Sequence, residues 1–281
     1  MGKDIFAGTE IHWTKLGQGR REALLLHCSL AHLGAWRGVA AELAGDLSML
    51  ALDLPGHGQS GDWDPARDYQ TQASEAALAL LEREASGPVD LVGHSFGGTI
   101  ALRLAQMAPD RVRSLTLIEP VLFAAAKDHP EFAQVEAFMT GPFADAFHRG
   151  DRIEAARLFH SIWGGHVAWA YLPVVLRDDM AARIHLIPAC APVTSEDVHG
   201  QAAPGALEAL GMPCLLIEGA DSPGVVAAIH DVFEARIPDA RRVVIEGAGH
   251  MAPMTHPERV AAEIGQLLEG APAKNTAKNT D

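Results

Sequence analysis

A serine flanked by glycines stands between an apolar, strand-like run and a helix-like segment. The motif is Gly93-His94-Ser95-Phe96-Gly97-Gly98, after the apolar run 89–92 and before the helix-like segment 99–107. A sharp turn from a strand into a helix crowds the backbone, and Gly93 and Gly97 suit such a turn. The turn would present Ser95 at the helix N-terminus, where the dipole and free amides favour negative charge. The motif therefore predicts a nucleophilic serine on a strand-to-helix elbow.

A serine hydroxyl is a poor nucleophile unless an imidazole takes its proton. Of the fourteen histidines, His250 follows Gly247-Ala248-Gly249, after the last strand-like run and before the final helix-like segment. A loop there lies at the carboxyl edge of a parallel sheet, where Ser95 also emerges. We therefore predict that His250 is the base. The nearest rival, His57, lies in a tight Pro-Gly turn, and we interpret it, like His27 and His32, as a structural histidine.

The imidazole of a serine hydrolase also needs a carboxylate, which fixes its tautomer and stabilises its charged form. Asp221 follows the strand-like run 215–217, and it gives the chain order Ser95, Asp221, His250. Glu119 ends the preceding strand-like run and is the alternative, because an acid from either strand end could reach the histidine. Asp221 is the predicted partner of His250, and Glu119 is kept as the alternative acid.

Four motifs, in this order, resemble those of the α/β-hydrolase superfamily. They are Leu26-His27-Cys28-Ser29-Leu30, Asp53-Leu54-Pro55-Gly56-His57-Gly58-Gln59-Ser60, the serine elbow and Gly249-His250. The resemblance extends over roughly residues 9–268. It implies an α/β fold with a doubly wound, mainly parallel sheet and an inserted helical cap. A serine at the elbow argues against the dehalogenase and epoxide-hydrolase branches, which carry an aspartate there.

The resemblance also implies an oxyanion hole built from two backbone amides. By position in the family's motifs, these amides belong to Ser29, after the first long strand, and to Phe96, next to the nucleophile. Removing one such donor typically costs about 2.7–4 kcal/mol of transition-state stabilisation. Cys28 replaces the glycine usual in the first motif. If the backbone there needs a positive φ, Cys28 would be strained; otherwise it would narrow the hole.

Apolar runs and helix-like segments alternate through most of the chain. The apolar runs are 24–26, 49–52, 89–92, 115–118, 215–217 and 243–245, and the helix-like segments are 36–43, 74–84, 99–107, 225–233 and 258–268. Short, continuous apolar runs suit strands that are covered on both faces, and their alternation with helices indicates a doubly wound parallel sheet. Residues 1–120 and 206–270 are the predicted hydrolase core.

The stretch 121–205 breaks this alternation, because it contains helix-like segments and no strand-like run. These segments are 131–139, 152–162 and 169–180, and the stretch is rich in aromatic residues, among them Phe143, Phe159, Trp163 and Trp169. We predict a helical cap insertion over the site, whose aromatic residues line a pocket or fill the core of the cap itself. The tail 271–281 is predicted to be disordered.

The charge balance excludes several classes of partner. Lys and Arg total 22 against 36 Asp and Glu, a net charge of −14, and no basic cluster suited to nucleic acid is present. No apolar run approaches the roughly 18 residues of a membrane span, and the N-terminus lacks a secretory signal. Three scattered cysteines in apolar surroundings favour buried thiols in a reducing compartment. A cytoplasmic protein without nucleic-acid or membrane partners is expected.

No metal or nucleotide motif is present in the sequence, so no cofactor is expected. The predicted function is the cleavage of a small, largely apolar ester through an acyl-enzyme intermediate. A carbon–carbon bond hydrolase acting on a vinylogous diketone is the alternative with the same residues, and thioesterase, lactonase or haloperoxidase activity remains open. A hypothesis of another class is a ligand receptor without turnover on a hydrolase scaffold.

Overall fold

The computed structural model describes residues 2–271 and contains one eight-stranded sheet. The strands are Gly2–Phe6 (β1), Thr9–Leu16 (β2), Arg21–Leu26 (β3), Leu47–Leu52 (β4), Val89–His94 (β5), Val112–Ile118 (β6), Cys214–Gly219 (β7) and Ala240–Ile245 (β8). Their order is β1-β2-β4-β3-β5-β6-β7-β8. The first two strands pair antiparallel, β2 pairs antiparallel with β4, and the other pairs are parallel. The predicted mainly parallel sheet is confirmed.

Helices cover both faces of this sheet, and the described part of the chain contains further helices that pack against one another between β6 and β7. The helices are Arg37–Glu42 (α1), Tyr69–Glu84 (α2), Phe96–Met107 (α3), Pro130–Phe138 (α4), Ala144–His148 (α5), Arg152–Trp163 (α6), Val174–Arg183 (α7), Leu186–Thr194 (α8), Gly224–Arg236 (α9), Ala252–Thr255 (α10) and Pro257–Gly270 (α11). Apolar side chains of α2, α3 and α9 form one core with the sheet, and those of α1 and α11 form another on the opposite face. The sheet is therefore doubly wound.

The central strands are fully buried because helices lie on both sides of them. Every residue of β5 and β7 is buried, and all but the second residue of β6 are. Continuous apolar strands of this kind pack on both faces, unlike the alternating pattern of a sheet with one wet face. Ser95 follows β5, Glu119 follows β6, and a turn follows β7. Because these three strands are parallel neighbours, all three positions lie at the same edge of the sheet.

Helices α4–α8 lie between β6 and β7, in the stretch for which a cap was predicted. The predicted helix over 169–180 is instead a short 3₁₀ turn, Trp169–Tyr171, followed by α7. Pro173 separates the two, because it lacks an amide hydrogen and fixes its own φ. The sequence did not indicate α8, which contains Pro192. Disorder was predicted for residues 271–281. Apart from Ala271, these residues lie outside the part of the chain that the structure describes.

All three cysteines are free and buried, as predicted. Among residues 2–271, no helix combines the length and apolar character needed to cross a membrane.

Candidate active site

Ser95 lies on a strained turn between β5 and α3. Its φ is 57° and its ψ is −119°, an unusual conformation for a residue other than glycine. The Ser95 amide donates to the Ile118 carbonyl at 2.9 Å, which fixes the turn to β6. A Cβ on Gly97 would lie 2.2 Å from the Leu26 carbonyl oxygen, and one on Gly93 would lie 2.4 Å from that of Gly97. Both glycines are therefore required by close backbone packing.

His250 is in hydrogen-bond contact with this serine. Its Nε2 is 3.0 Å from the Ser95 Oγ, and its Nδ1 is 2.6 Å from Glu119 Oε2. An ionised carboxylate only accepts, so Nδ1 carries the proton and donates it to Glu119. Nε2 is then free to accept the hydroxyl proton of Ser95. This tautomer is the one a general base needs.

Glu119 is fully buried and accepts three hydrogen bonds. In addition to His250, the Gly219 amide and the Ser222 hydroxyl donate to its Oε1, at 2.6 and 2.5 Å. Burial alone would raise the pKa of this carboxyl, but the hydrogen bond and electrostatic interaction with His250, together with the other two donors, outweigh burial. The pKa of Glu119 therefore lies below its ordinary value, and the group is a carboxylate at neutral pH.

The structure corrects the predicted partner of His250, because Asp221 does not contact the imidazole. The Asp221 side chain is 51% exposed and lies 3.5 Å from His166 Nε2. Its backbone amide bonds the Ala248 carbonyl at 2.8 Å, which ties the loop after β7 to the histidine loop while the side chain turns outward. The alternative acid, Glu119, occupies the place expected for Asp221.

Three other histidines support the loops around the site. His94 Nε2 is 2.7 Å from the His250 carbonyl oxygen, and because a carbonyl only accepts, this nitrogen donates. His57 Nε2 accepts the Leu30 amide at 2.9 Å, and His27 Nε2 accepts the Leu54 amide at 2.9 Å. Burial lowers the pKa of His94 to about 3 and that of His27 to about 4, and it lowers the pKa of His57 as well. All three histidines are neutral, and their rings form hydrogen bonds with backbone groups of the surrounding loops.

The two amides implied for an oxyanion hole come from different segments of the chain. Ser29 lies in the turn after β3, and Phe96 is the first residue of α3. Within residues 2–271, neither amide donates a hydrogen bond to another group of the chain. In the turn after β3, the residue with a positive φ is Leu30, at 62°; Cys28 does not have a positive φ. Cys28 is therefore unstrained.

Two cavities meet at Ser95. A cavity of about 500 Å³ includes Phe96, Phe132, Phe143 and Ile187 in its wall. A second, of about 820 Å³, includes His250, Leu176, Met180 and Met251 in its wall. Both are within the usual volume range of small-molecule sites. Ser29, Phe159 and Trp163 contribute to both.

The four aromatic residues singled out in the cap have different positions. Trp163 is buried, and its ring centroid lies 4.8 Å from that of His250 in an edge-to-face arrangement. Phe159 borders both cavities, and Phe143 borders the smaller one. Trp169 borders neither and packs edge-on against His160 with ring centroids 5.5 Å apart. Three of the four thus contact the space above Ser95.

The sequence model of a family described as alpha/beta hydrolase fold matches residues 24–257, most of the chain. The chain belongs to the alpha/beta hydrolase fold family. The matched segment contains the elbow serine, both carboxylates that follow β6 and β7, and His250. The protein is thus an α/β-fold hydrolase, as its sequence motifs implied.

Individual relatives share a modest fraction of their residues with this hydrolase. A pimeloyl-[acyl-carrier protein] methyl ester esterase of Nitrosomonas europaea is 28% identical over 253 residues, which cover 89% of this chain and 96% of the relative. Lipase LipV of Mycobacterium tuberculosis is 36% identical over 136 residues, 47% of this chain and 49% of the lipase. An α/β hydrolase from Sphaerobacter thermophilus superposes with a TM-score of 0.73 at 21% identity, covering 95% of this chain and 100% of that one. The last likeness concerns the fold alone.

Two further residues of the site were not assigned a role from the sequence. Ser222 donates to Glu119, and His94 holds the backbone of His250. His94 lies inside the elbow motif, so its position next to Ser95 was the available signal. Among the described residues, no group of three His, Cys, Asp or Glu side chains is arranged to hold a metal ion.

Proposed function

We propose that this hydrolase is a serine esterase that cleaves a largely apolar ester through an acyl-enzyme intermediate. The observation that carries the proposal is the chain of hydrogen bonds from Ser95 through His250 to Glu119, at 3.0 and 2.6 Å. It gives a hydroxyl, a base in the required tautomer and a buried carboxylate that holds that tautomer. These are the parts of an acyl-transfer site.

In the proposed reaction, Ser95 Oγ attacks the ester carbonyl carbon while His250 Nε2 takes the hydroxyl proton. The Ser29 and Phe96 amides donate to the oxygen that becomes negative. The bond from the carbonyl carbon to the alcohol oxygen then breaks, and His250 returns the proton to that oxygen. A water molecule, deprotonated by His250, releases the acid from Ser95 and restores the hydroxyl.

The preference for an ester over other acyl groups is supported by the relatives and by the cavity walls. The two relatives are a methyl ester esterase and a lipase by name, so both act on esters. Both cavities are walled mainly by apolar side chains, which stabilise uncharged groups by about 0.8 kcal/mol for each buried CH₂. An uncharged ester with apolar substituents on both sides therefore suits the space around Ser95.

Hydrolysis of a p-nitrophenyl ester panel by the wild-type protein and by Ser95→Ala tests this proposal. Ser95→Ala is expected to lose turnover by roughly 10⁶-fold, as nucleophile substitutions do in serine hydrolases. Ser161→Ala is the matched control, since Ser161 is exposed and borders neither cavity. A diketone panel run in parallel identifies a carbon–carbon hydrolase by fast cleavage beside slow ester turnover. Ester cleavage by Ser95→Ala at the wild-type rate would rule the mechanism out.

A further inference from the structure

The two cavities differ in which part of the proposed machinery they border. The smaller one, of about 500 Å³, reaches Phe96 and does not include His250 in its wall. The larger one, of about 820 Å³, reaches His250 and does not include Phe96. Ser95 and Ser29 border both. The site is therefore asymmetric about the serine hydroxyl.

This asymmetry determines which half of an ester enters which cavity. When the carbon–oxygen bond breaks, the alcohol oxygen must receive its proton from His250 Nε2, so it has to lie within hydrogen-bond reach of that nitrogen. The acyl chain is on the other side of the carbonyl carbon, and of the two cavities the smaller one, which borders Phe96, is the one without His250 in its wall. We propose that the larger cavity holds the alcohol moiety and the smaller cavity the acyl chain, so that the substrates are esters of a bulky apolar alcohol. This inference rests on the proposed esterase function.

The wall of the larger cavity supports an apolar alcohol without negative charge. Leu172, Leu176, Met180 and Met254 are part of it, and within the described residues it includes no lysine or arginine. Its acidic side chains are Asp178 and Asp179, and Asp179 forms an ion pair with Arg183. No ion pair of Asp178 is found among the described residues, so its negative charge would repel an anionic alcohol, whereas an apolar alcohol carries no charge to be repelled.

The mouth of this cavity extends its apolar character to the surface. Val167 is 50% exposed, Val175 76% and Leu176 41%, and all three border the cavity. Scattered exposed apolar residues need no explanation, but these share one opening. A long or branched alcohol could cover them, whereas the methanol released from a methyl ester would leave nearly the whole 820 Å³ unused. The larger cavity therefore favours a bulky alcohol.

Two matched ester series test the assignment. One series contains acetate esters of linear alcohols of increasing length, and the other contains ethyl esters of linear acids of increasing length. The measure is kcat/KM, which reports the acylation step in which the alcohol leaves. In the wild-type protein, kcat/KM is expected to rise by about fourfold per buried CH₂ in both series. In the alcohol series, this rise in kcat/KM should continue to longer chains than in the acid series.

Narrowing each cavity separately then identifies its occupant. Leu176 lies on α7 in the larger cavity, and Val135 lies on α4 in the smaller one. Leu176→Trp should shorten the best alcohol chain and lower kcat/KM for the longest alcohols by about tenfold or more relative to ethyl acetate, the loss of two methylenes. Val135→Trp should shorten the best acyl chain and lower kcat/KM for the longest acyl chains by a similar factor. Val174→Trp, two residues before Leu176 on α7 and at a 62% exposed residue outside both cavities, is the control.

The inference is overturned if Leu176→Trp shortens the best acyl chain instead, or if neither narrowing variant changes either optimum. In both cases, continued hydrolysis that depends on Ser95 would leave the esterase proposal intact. If no ester of either series is cleaved and a fluorophosphonate does not label Ser95, the esterase proposal itself fails, and the assignment of the cavities fails with it.

Discussion

Replacing Glu119 by glutamine tests the role of the buried carboxylate with almost no change in side-chain shape. The Gly219 amide and the Ser222 hydroxyl both donate to Oε1, so they will hold the oxygen of the glutamine amide at that position. The NH₂ group then occupies the position of Oε2 and faces His250 Nδ1. Because NH₂ only donates, Nδ1 must become the acceptor, and the single imidazole proton moves to Nε2.

In that tautomer Nε2 donates to Ser95 and cannot take its proton. Loss of the correct tautomer lowers kcat by about 10⁴-fold in a serine protease with the same arrangement, which corresponds to about 5.4 kcal/mol. Glu119→Gln is therefore expected to lower kcat by about 10⁴-fold in the hydrolysis of a p-nitrophenyl ester. Circular dichroism and thermal unfolding establish that the variant is folded.

Asp221→Asn is the matched control for this substitution. Asp221 is half exposed, and its contact with His166 at 3.5 Å belongs to a class of surface ion pairs that contribute about 0–1 kcal/mol. Because the Asp221 side chain does not contact His250, the kcat of Asp221→Asn should stay close to the wild-type value. If Asp221→Asn lost about 10⁴-fold and Glu119→Gln retained most of its activity, with both proteins folded, the assignment of the carboxylate would be refuted.

Three further outcomes follow from the surroundings of the site. Ser222→Ala removes one donor to Glu119 and should lower kcat by about tenfold, about 1.4 kcal/mol, with KM nearly unchanged; an equal change in KM alone would argue against a positioning role. Gly97→Ala places a Cβ 2.2 Å from the Leu26 carbonyl oxygen and should lower the Tm by several degrees, whereas an unchanged Tm would show that the turn has room. Stability should fall as the pH drops below about 6.5, by up to about 1.4 kcal/mol per pH unit for each histidine that is neutral in the folded state and protonates on unfolding. Those histidines are His27, His57 and His94. Urea unfolding between pH 7 and pH 5 measures this slope, and a pH-independent midpoint would contradict the low pKa values.

The sequence predicted the central sheet well because its strands are covered on both faces. Continuous apolar runs identified β3 to β8; the inner positions of β3 to β7 are largely buried, whereas in the edge strand β8 only Ile245 is buried. The N-terminal strand β1 is at the sheet edge and β2 is next to it; both have exposed polar residues, so they contain no comparable run. Helix α8 was missed because its Pro192 argues against a helix interior.

The error in the carboxylate has a specific physical origin. Parallel strands bring both Glu119 and Asp221 to the same edge, and chain order does not determine which side chain turns inward. The signal that favoured Glu119 was its position within an otherwise apolar stretch, 115–123, broken only by Thr116 and Pro120. A charge in such surroundings is buried, and a buried charge needs partners. Asp221 is followed by Ser222 and Pro223 in a turn, where an exposed carboxylate is common.

The most direct test of the proposed mechanism is the site of covalent modification by a fluorophosphonate, located by peptide mass spectrometry. The mechanism predicts one adduct per chain, on Ser95, and much slower labelling of His250→Ala because the base is missing. It also predicts that Asp221→Asn is labelled at nearly the wild-type rate. An adduct on another residue, or continued ester turnover by a protein fully modified at Ser95, would contradict the assignment of Ser95 as the nucleophile.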